Sequence, residues 1–184
     1  MYFHKSPQFI EEFVEFIRIS KKFFEKIFLI EIKIYDLCGK LPTAKNIYEG
    51  IGNEKPYHKD LEISKILKLF LANLKILKIY KNLDNSIKKK QFSEFLAFVI
   101  TSRNLIAHNK LKKINIEWFL GQLKVFQEIL KISEDTYSLN INKRYLQFLK
   151  KSETSLREKI NDDINDYFFN KFIEFHAENL QSNK

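Results

Sequence analysis

Apolar side chains recur at helical spacing along most of this 184-residue chain, while residues that interrupt helices are scarce. There are only four glycines and three prolines. A protein of many short strands needs a turn residue about every eight to twelve positions, so the sequence argues against a β-sandwich or β-barrel. Hydrophobic residues make up 45% of the chain, enough to bury a core. We therefore predict an all-α fold with one helical domain over residues 1–184.

The periodicity predicts an up-and-down bundle of about five to six helices, with aromatic side chains filling its core. A first helix is expected over residues 7–38, after an N-cap at Ser6. Residues 39–58 form the main irregular connection, with one short helix between Thr43 and Gly50.

Four longer helical patterns follow this connection. An amphipathic helix with a basic flank covers residues 63–77 and is broken at residues 82–85. The next pattern covers residues 92–106. Asn115 is the expected N-cap of the following helix, and the last pattern runs from about Tyr145 to Phe172, with apolar residues at helical spacing. Trp118, near a helix start, suits either packing or the stacking of bases, and we favour packing.

Several classes of site are excluded by what the chain lacks. Cys38 is the only cysteine, so a disulfide scaffold and a Cys-rich zinc site are excluded. His4, His58 and His176 have no companion at metal-ligand spacing, and we predict no metal and no other cofactor. No apolar run approaches the ~20 residues that span a bilayer, and charges interrupt the N-terminal segment. We expect a soluble, cytoplasmic protein with no membrane partner.

Positive charge is concentrated in one part of the chain. The whole chain has 32 basic and 23 acidic residues, a net charge of +9. Residues 40–115 alone carry sixteen basic and six acidic side chains, a net charge of +10. This asymmetry indicates an anionic partner, nucleic acid first. A lysine-rich composition inherited from an AT-rich genome explains the same excess, and both interpretations stay open.

Arg103 lies in an unexpected position within this basic region. On a helical wheel it shares the apolar stripe of Phe92, Leu96, Val99 and Ile106. Arginine keeps its charge, so this position is costly unless an anion meets the guanidinium group. The alternatives are an ion pair within the chain or a side chain that extends to solvent near the helix end.

His108 follows Arg103 by five residues, which on a continuous helix turns it about 140° away. The two side chains converge on one ligand only if the backbone changes direction near His108. The sequence permits this change, because Asn109 and a basic segment follow before Asn115 starts another helix. Alternatively, a histidine here simply caps the helix carbonyls.

The segment Arg103-Asn104-x-x-Ala107-His108 resembles the Arg-x4–6-His motif of the HEPN superfamily (higher eukaryotes and prokaryotes nucleotide-binding domain). Many HEPN proteins are metal-independent endoribonucleases of toxin–antitoxin, abortive-infection and CRISPR-associated systems. The resemblance implies a ribonuclease that leaves 2′,3′-cyclic phosphate and 5′-hydroxyl ends. In this scheme His108 is the general base or acid, Arg103 stabilises the phosphoryl charge, and Asn104 positions either group.

The resemblance also implies a homodimer with the site at its interface, and an antitoxin or other regulatory protein as a further kind of partner. One toxin branch continues its motif as His-x-Tyr, where this chain has Lys110, so a mechanism that modifies that tyrosine does not transfer. Lys110, Lys112 and Lys113 suit contacts to RNA phosphates, although solvated loop lysines are more frequent. Two alternatives remain: a non-catalytic helical module that binds RNA, nucleotide or a partner protein, and a purely structural bundle.

Overall fold

The fold is given by a computed structural model, which describes residues 7–51, 59–140 and 143–182. These residues form helices and no strand, which confirms the all-α prediction. The α-helices are α1 Pro7–Lys33, α2 Leu37–Lys40, α3 Pro42–Ile51, α4 Lys59–Ala72, α5 Lys78–Lys81, α6 Ser86–Ala107, α7 Ile116–Tyr137 and α8 Lys143–Ser182. Two 3-10 helices cover Leu74–Ile76 and Leu111–Lys113. The described residues thus hold more helices than the five to six expected, because α2 and α5 are additional single turns.

The first helix ends earlier than predicted. It stops at Lys33 rather than at residue 38, because Asp36 adopts a left-handed conformation with φ 53°. The Asp36 side chain then accepts a hydrogen bond from the Gly39 N–H at 3.3 Å and starts α2. Aspartate tolerates this conformation better than most residues do, so a single residue redirects the chain.

The connection predicted as irregular is largely helical where it is described. The expected short helix is present as α3, although it begins at Pro42 and reaches Ile51. The remainder of that connection, residues 52–58 with His58, lies outside the described residues, as does His4.

The amphipathic segment predicted as one helix is divided. Helix α4 ends at Ala72, and the Asn73 side-chain Nδ2 donates to the Leu69 carbonyl oxygen at 2.9 Å. A hydrogen bond from an asparagine side chain to the backbone competes with helix continuation, and a 3-10 turn and α5 follow before the predicted break. Asn85 then caps α6 by accepting from the Lys88 N–H at 2.8 Å.

Phenylalanine rings join the helices at the centre of the bundle. Phe16 of α1 is fully buried and meets four rings of α6 and α7, those of Phe95, Phe98, Phe119 and Phe126, at centroid distances of 5.2 to 6.1 Å. Each contact is edge-to-face or close to it, which is a favourable geometry for aromatic pairs. The prediction that aromatic residues fill the core is confirmed for these rings.

The same prediction is wrong for the last helix. Four phenylalanines in the second half of α8, which are Phe168, Phe169, Phe172 and Phe175, are 58% to 64% exposed. Helix α8 packs against α7 and α1 only through its first half, where Leu149 and Leu156 are buried. Beyond Ile164 every described residue of α8 is exposed.

A buried polar network ties the end of α1 to the rest of the bundle. Glu31 is fully buried, and its Oε1 accepts hydrogen bonds from the Lys78 N–H at 2.8 Å and from the Tyr137 hydroxyl at 2.5 Å. The Tyr137 hydroxyl oxygen in turn accepts from the Ile79 N–H at 3.1 Å. Burial, together with the hydrogen bond to Glu31, raises the pKa of Tyr137 above its ordinary value. The network therefore joins α1, α5 and α7 through a protonated phenol.

We expect Phe16→Ala to lower the free energy of unfolding by about 3–5 kcal/mol, because it leaves a cavity among four rings. Urea denaturation followed by circular dichroism measures this loss. Val14→Ala is the matched control: Val14 is 40% exposed on the same helix, and its substitution should change the value by less than ~0.5 kcal/mol. Equal effects of the two substitutions would contradict the central role of Phe16.

We expect Tyr137→Phe to lower the free energy of unfolding by about 1–3 kcal/mol, because Glu31 and the Ile79 N–H each lose a partner. Tyr35→Phe is the control, since the Tyr35 ring contacts Tyr137 at 6.0 Å and only a hydroxyl group is removed.

The raised pKa of Tyr137 means that the fold stabilises the protonated phenol. This stabilisation is complete below the ordinary tyrosine pKa of about 10 and falls as pH rises above it. Wild type should therefore lose more stability between pH 9 and 11 than Tyr137→Phe does.

Candidate functional site at the end of helix α6

Helix α6 ends in a tight turn at the predicted motif. Ala107 is its last residue, His108 caps it, and Asn109 adopts a left-handed conformation with φ 53°. The Lys110 N–H donates to the Leu105 carbonyl oxygen at 2.8 Å, and the Asn109 N–H donates to that of Ile106 at 3.1 Å. This pair of bonds is a Schellman motif, in which asparagine is the common substitute for glycine. The backbone thus changes direction after His108, as the sequence permits.

Arg103 lies at the edge of the apolar stripe rather than within it. Val99 and Ser102 are fully buried, whereas Arg103 is half-buried. Its Nη1 donates to the Asn104 Oδ1 at 3.2 Å, at the exposed surface of α6. The guanidinium group therefore reaches solvent. The free-energy cost of keeping its charge at this position is then lower than a fully apolar position implies. No carboxylate pairs with Arg103 among residues 7–51, 59–140 and 143–182, so the alternative of an ion pair within the chain finds no support there.

Asn104 connects the two ends of the motif. Its side chain accepts the bond from Arg103, and its backbone carbonyl oxygen accepts from the His108 N–H at 3.0 Å. The His108 side chain is exposed, and no hydrogen bond joins it to Arg103. A single chain thus presents the three motif residues on one helix end without bringing the imidazole and the guanidinium group into contact.

The basic residues after the motif are exposed and have no carboxylate partner in the described part of the chain. Lys110 lies in the turn, while Lys112 and Lys113 belong to the 3-10 helix that follows. Several other lysines of the basic region, residues 40–115, are paired with acidic residues one helical turn away. These pairs are Lys45–Glu49, Lys65–Glu62, Lys88–Asp84 and Lys90–Glu94. Uncompensated positive charge therefore flanks His108.

Trp118 lies just beyond this basic segment, in the first turn of α7. The Asn115 side chain caps α7 by accepting from the Trp118 N–H at 2.8 Å, as predicted. The indole ring packs edge-on against Phe98 at 4.6 Å and remains 40% exposed. Trp118 thus packs with one part of its ring and presents the rest to solvent.

A shallow cleft lies at the other end of α6. It has a volume of about 320 Å³ and is lined by Asn82, Leu83, Asp84, Lys88, Ile132, Asp135 and Thr136. Lys88 and Arg103 are separated by roughly 20 Å along the helix. The lining polar groups bond to one another, as in the Asn82 Nδ2 to Thr136 Oγ1 contact at 3.1 Å. The motif residues are not in this cleft and lie on an open surface.

The described residues contain no group of three or more His, Cys, Asp or Glu side chains placed to hold a metal ion. Within the same part of the chain, no helix combines the length and the apolar character needed to cross a membrane. Comparisons of the chain with protein-family models, with curated proteins and with solved structures find no match.

We expect Asn109→Ala to lower the free energy of unfolding by about 1 kcal/mol, because alanine is strained in the left-handed conformation. Asn109→Gly is the matched variant and should leave stability unchanged or slightly higher, since glycine adopts this conformation freely. Thermal and urea denaturation of both variants give the comparison. If alanine and glycine behaved alike, the turn after His108 would not depend on this conformation.

Proposed function

We propose that this protein is a metal-independent endoribonuclease of the HEPN type, acting as a toxin or in phage defence, with its site at the end of α6. The observation that carries the proposal is the position of His108. It is an exposed histidine at a helix end, one turn after Arg103 and Asn104 and immediately before three exposed lysines. In this proposal the helices adopt the up-and-down arrangement of HEPN domains.

The residue types suit cleavage of RNA by its own 2′-hydroxyl group. The reaction requires a proton to leave that hydroxyl, a proton to reach the departing 5′-oxygen, and charge to be stabilised on the phosphoryl oxygens. A histidine exchanges protons near neutral pH and serves either proton transfer. The bond that forms joins the 2′-oxygen to phosphorus, and the bond that breaks frees the 5′-oxygen. The products are a 2′,3′-cyclic phosphate and a 5′-hydroxyl group.

Arg103 has the donors that phosphoryl stabilisation requires. A guanidinium group carries five N–H donors in a fixed plane, and the hydrogen bond to Asn104 uses one of them. The remaining donors are without a partner among the described residues, on a side chain that is half-buried and so restrained. Asn104 holds the guanidinium group, and in this role it is a positioning residue.

Because no hydrogen bond joins Arg103 and His108 within one chain, we place the site between two chains. Proton removal and proton delivery call for two groups, and the described residues of one chain offer one histidine at this end of α6. A homodimer with α6 ends facing each other supplies two His108 side chains and two Arg103 side chains to one RNA strand. The exposed Lys110, Lys112 and Lys113 then flank the RNA backbone.

We expect His108→Asn to reduce cleavage of structured RNA at least ~100-fold, in keeping with the loss of a general acid or base. Arg103→Ala should reduce it roughly 100-fold or more, because phosphoryl charge is no longer stabilised. Reactions contain EDTA, and end analysis of the products tests for cyclic phosphate and 5′-hydroxyl ends.

Two matched variants control for indirect effects. Asn109→Gly changes the neighbour of His108 while it preserves the turn, and Arg157→Ala removes an exposed arginine paired with Glu153 on α8; both should cleave at the wild-type rate. Equal cleavage by wild type and His108→Asn would exclude the proposed role of His108.

A non-catalytic RNA-binding module is the second candidate, and the open surface around the motif favours it. Binding in this case depends on phosphate contacts, so affinity falls steeply with salt. Each of the three lysines, when replaced by alanine, should reduce the slope of log affinity against log salt by about 1. RNA binding with this salt dependence, no turnover, and no effect of Arg103→Ala would support this candidate over the enzyme.

A further inference from the structure

The second half of α8 extends beyond the bundle. Helix α8 has 40 residues, which is roughly 60 Å of helix. Leu149, Ser152 and Leu156 bury its first half against the bundle. From residue 165 to residue 182 every side chain is exposed, and we call this segment the distal arm. A helix this exposed is ordinarily polar all round.

The distal arm is instead rich in large apolar side chains. Seven of them are 49% to 69% exposed: Tyr167, Phe168, Phe169, Phe172, Ile173, Phe175 and Leu180. Fully exposed side chains of this size present ~150–250 Å² each, so together they expose roughly 700 Å². The largest apolar patch on a typical monomeric protein is about 300–600 Å². The distal arm therefore has the properties of an interface.

Six of the seven side chains lie within an arc of about 160° on the side of α8 turned away from the bundle, whereas Tyr167 lies outside this arc. At about 100° per residue, Phe168, Phe172 and Phe175 fall within roughly 60° of one another. The sixteen residues between Leu156 and Phe172 turn Phe172 roughly 160° from the buried stripe. The bundle packs against the opposite side of α8, so it does not cover this face.

The charges of the distal arm exclude a lipid surface as its partner. Glu174 and Glu178 lie on the side opposite the apolar face and Asp166 flanks that face, while Lys171 is the only lysine or arginine of the arm and pairs with Glu174 at 3.2 Å. Helices that bind membranes carry lysine and arginine on their polar face, and anionic lipids repel this one. Nucleic acid is excluded on the same ground, which leaves a protein partner.

We propose that the distal arm is a homodimer surface that pairs with the distal arm of a second copy of this chain. The face from Phe168 to Leu180 contains no Asp, Glu, Lys or Arg; its polar residues are Asn179 and His176, whose ring contacts that of Phe172 at 4.4 Å. Pairing this face with itself therefore buries no carboxylate, ammonium or guanidinium group. Most of the exposed apolar area of roughly 700 Å² per chain lies on this face, and it approaches the ~800 Å² that each partner of a standard interface contributes. A two-fold axis near Phe172, at the middle of this face, brings position 172 of both chains together. This surface is separate from the end of α6, and the inference does not rest on the proposed function.

Cysteine cross-linking tests the pairing directly. In a Cys38→Ser background, Phe172→Cys should form a disulfide-linked dimer under mild oxidation, read on a non-reducing gel. Glu174→Cys is the matched control two residues away on the opposite face, and it should remain monomeric on the same gel. Equal cross-linking at the two positions, or none at position 172, would overturn the pairing.

Sedimentation of the full chain provides the second test. Wild type should self-associate at micromolar concentration, and Phe172→Glu with Phe175→Glu should weaken the association between arms at least ~100-fold, so the sedimenting mass should fall by half whether or not the α6 ends also pair. Both positions are exposed, so circular dichroism and thermal unfolding of the bundle should stay unchanged. Wild type that sediments as a monomer, including one that captures a different protein or vesicles, would refute the proposal, as would a double variant that keeps the wild-type mass.

Discussion

The packing of one phenylalanine ring fixes the position of helix α6, whose end carries the candidate site. Phe16 of α1 is in contact with two rings of α6 and two rings of α7. Helix α6 is therefore held close to its middle, at Phe95 and Phe98, while its last turn extends past the core. This arrangement leaves the end of α6 rigid in direction and accessible to solvent, which are the two properties that a surface site requires.

The positive charge of residues 40–115 is distributed less evenly than their net charge suggests. Lys45 of α3, Lys65 of α4 and Lys90 of α6 each have a carboxylate one turn away, and exposed pairs of this kind contribute little to stability while they cancel charge locally. The lysines after His108 have no such neighbours. Because a phosphate backbone responds to local potential rather than to the total charge of a chain, the end of α6 is the better candidate for a contact with RNA.

Most of the fold was predictable because helix caps and apolar periodicity act locally. The caps at Asn85 and Asn115 and the extent of α6 follow from residues within one turn. The early ends of α1 and α4 were not predictable from periodicity, since Asp36 and Asn73 interrupt patterns that continue beyond them. The helix end that carries Arg103, Asn104 and His108 was predictable, and their role as a site stays a prediction. The half-buried position of Arg103 was not, because a helical wheel gives direction but not depth.

The exposed face of α8 shows a different limit of pattern analysis. Leu149, Leu156 and Phe172 all suit a helix, and the pattern was read as one core-facing stripe. The angle between Leu156 and Phe172 was already present in their spacing and indicates two separate faces. Periodicity shows that a helix has an apolar face. The angle between apolar residues around the helix axis shows whether that face keeps one direction, and a face that changes direction needs more than one neighbour.

The Glu31 network has a consequence for how the helices find their alignment. A carboxyl group at the end of α1 is tolerated in the interior only where the Lys78 N–H and the Tyr137 hydroxyl meet it. If α1 slid by one turn along its neighbours, phenylalanine rings would still find other rings, because apolar contacts are not directional. The carboxyl group would then lie among carbon atoms without a donor, at a large cost in free energy. Glu31 thus fixes the register of α1 against its neighbours, because the phenylalanine contacts of the core alone would permit more than one alignment.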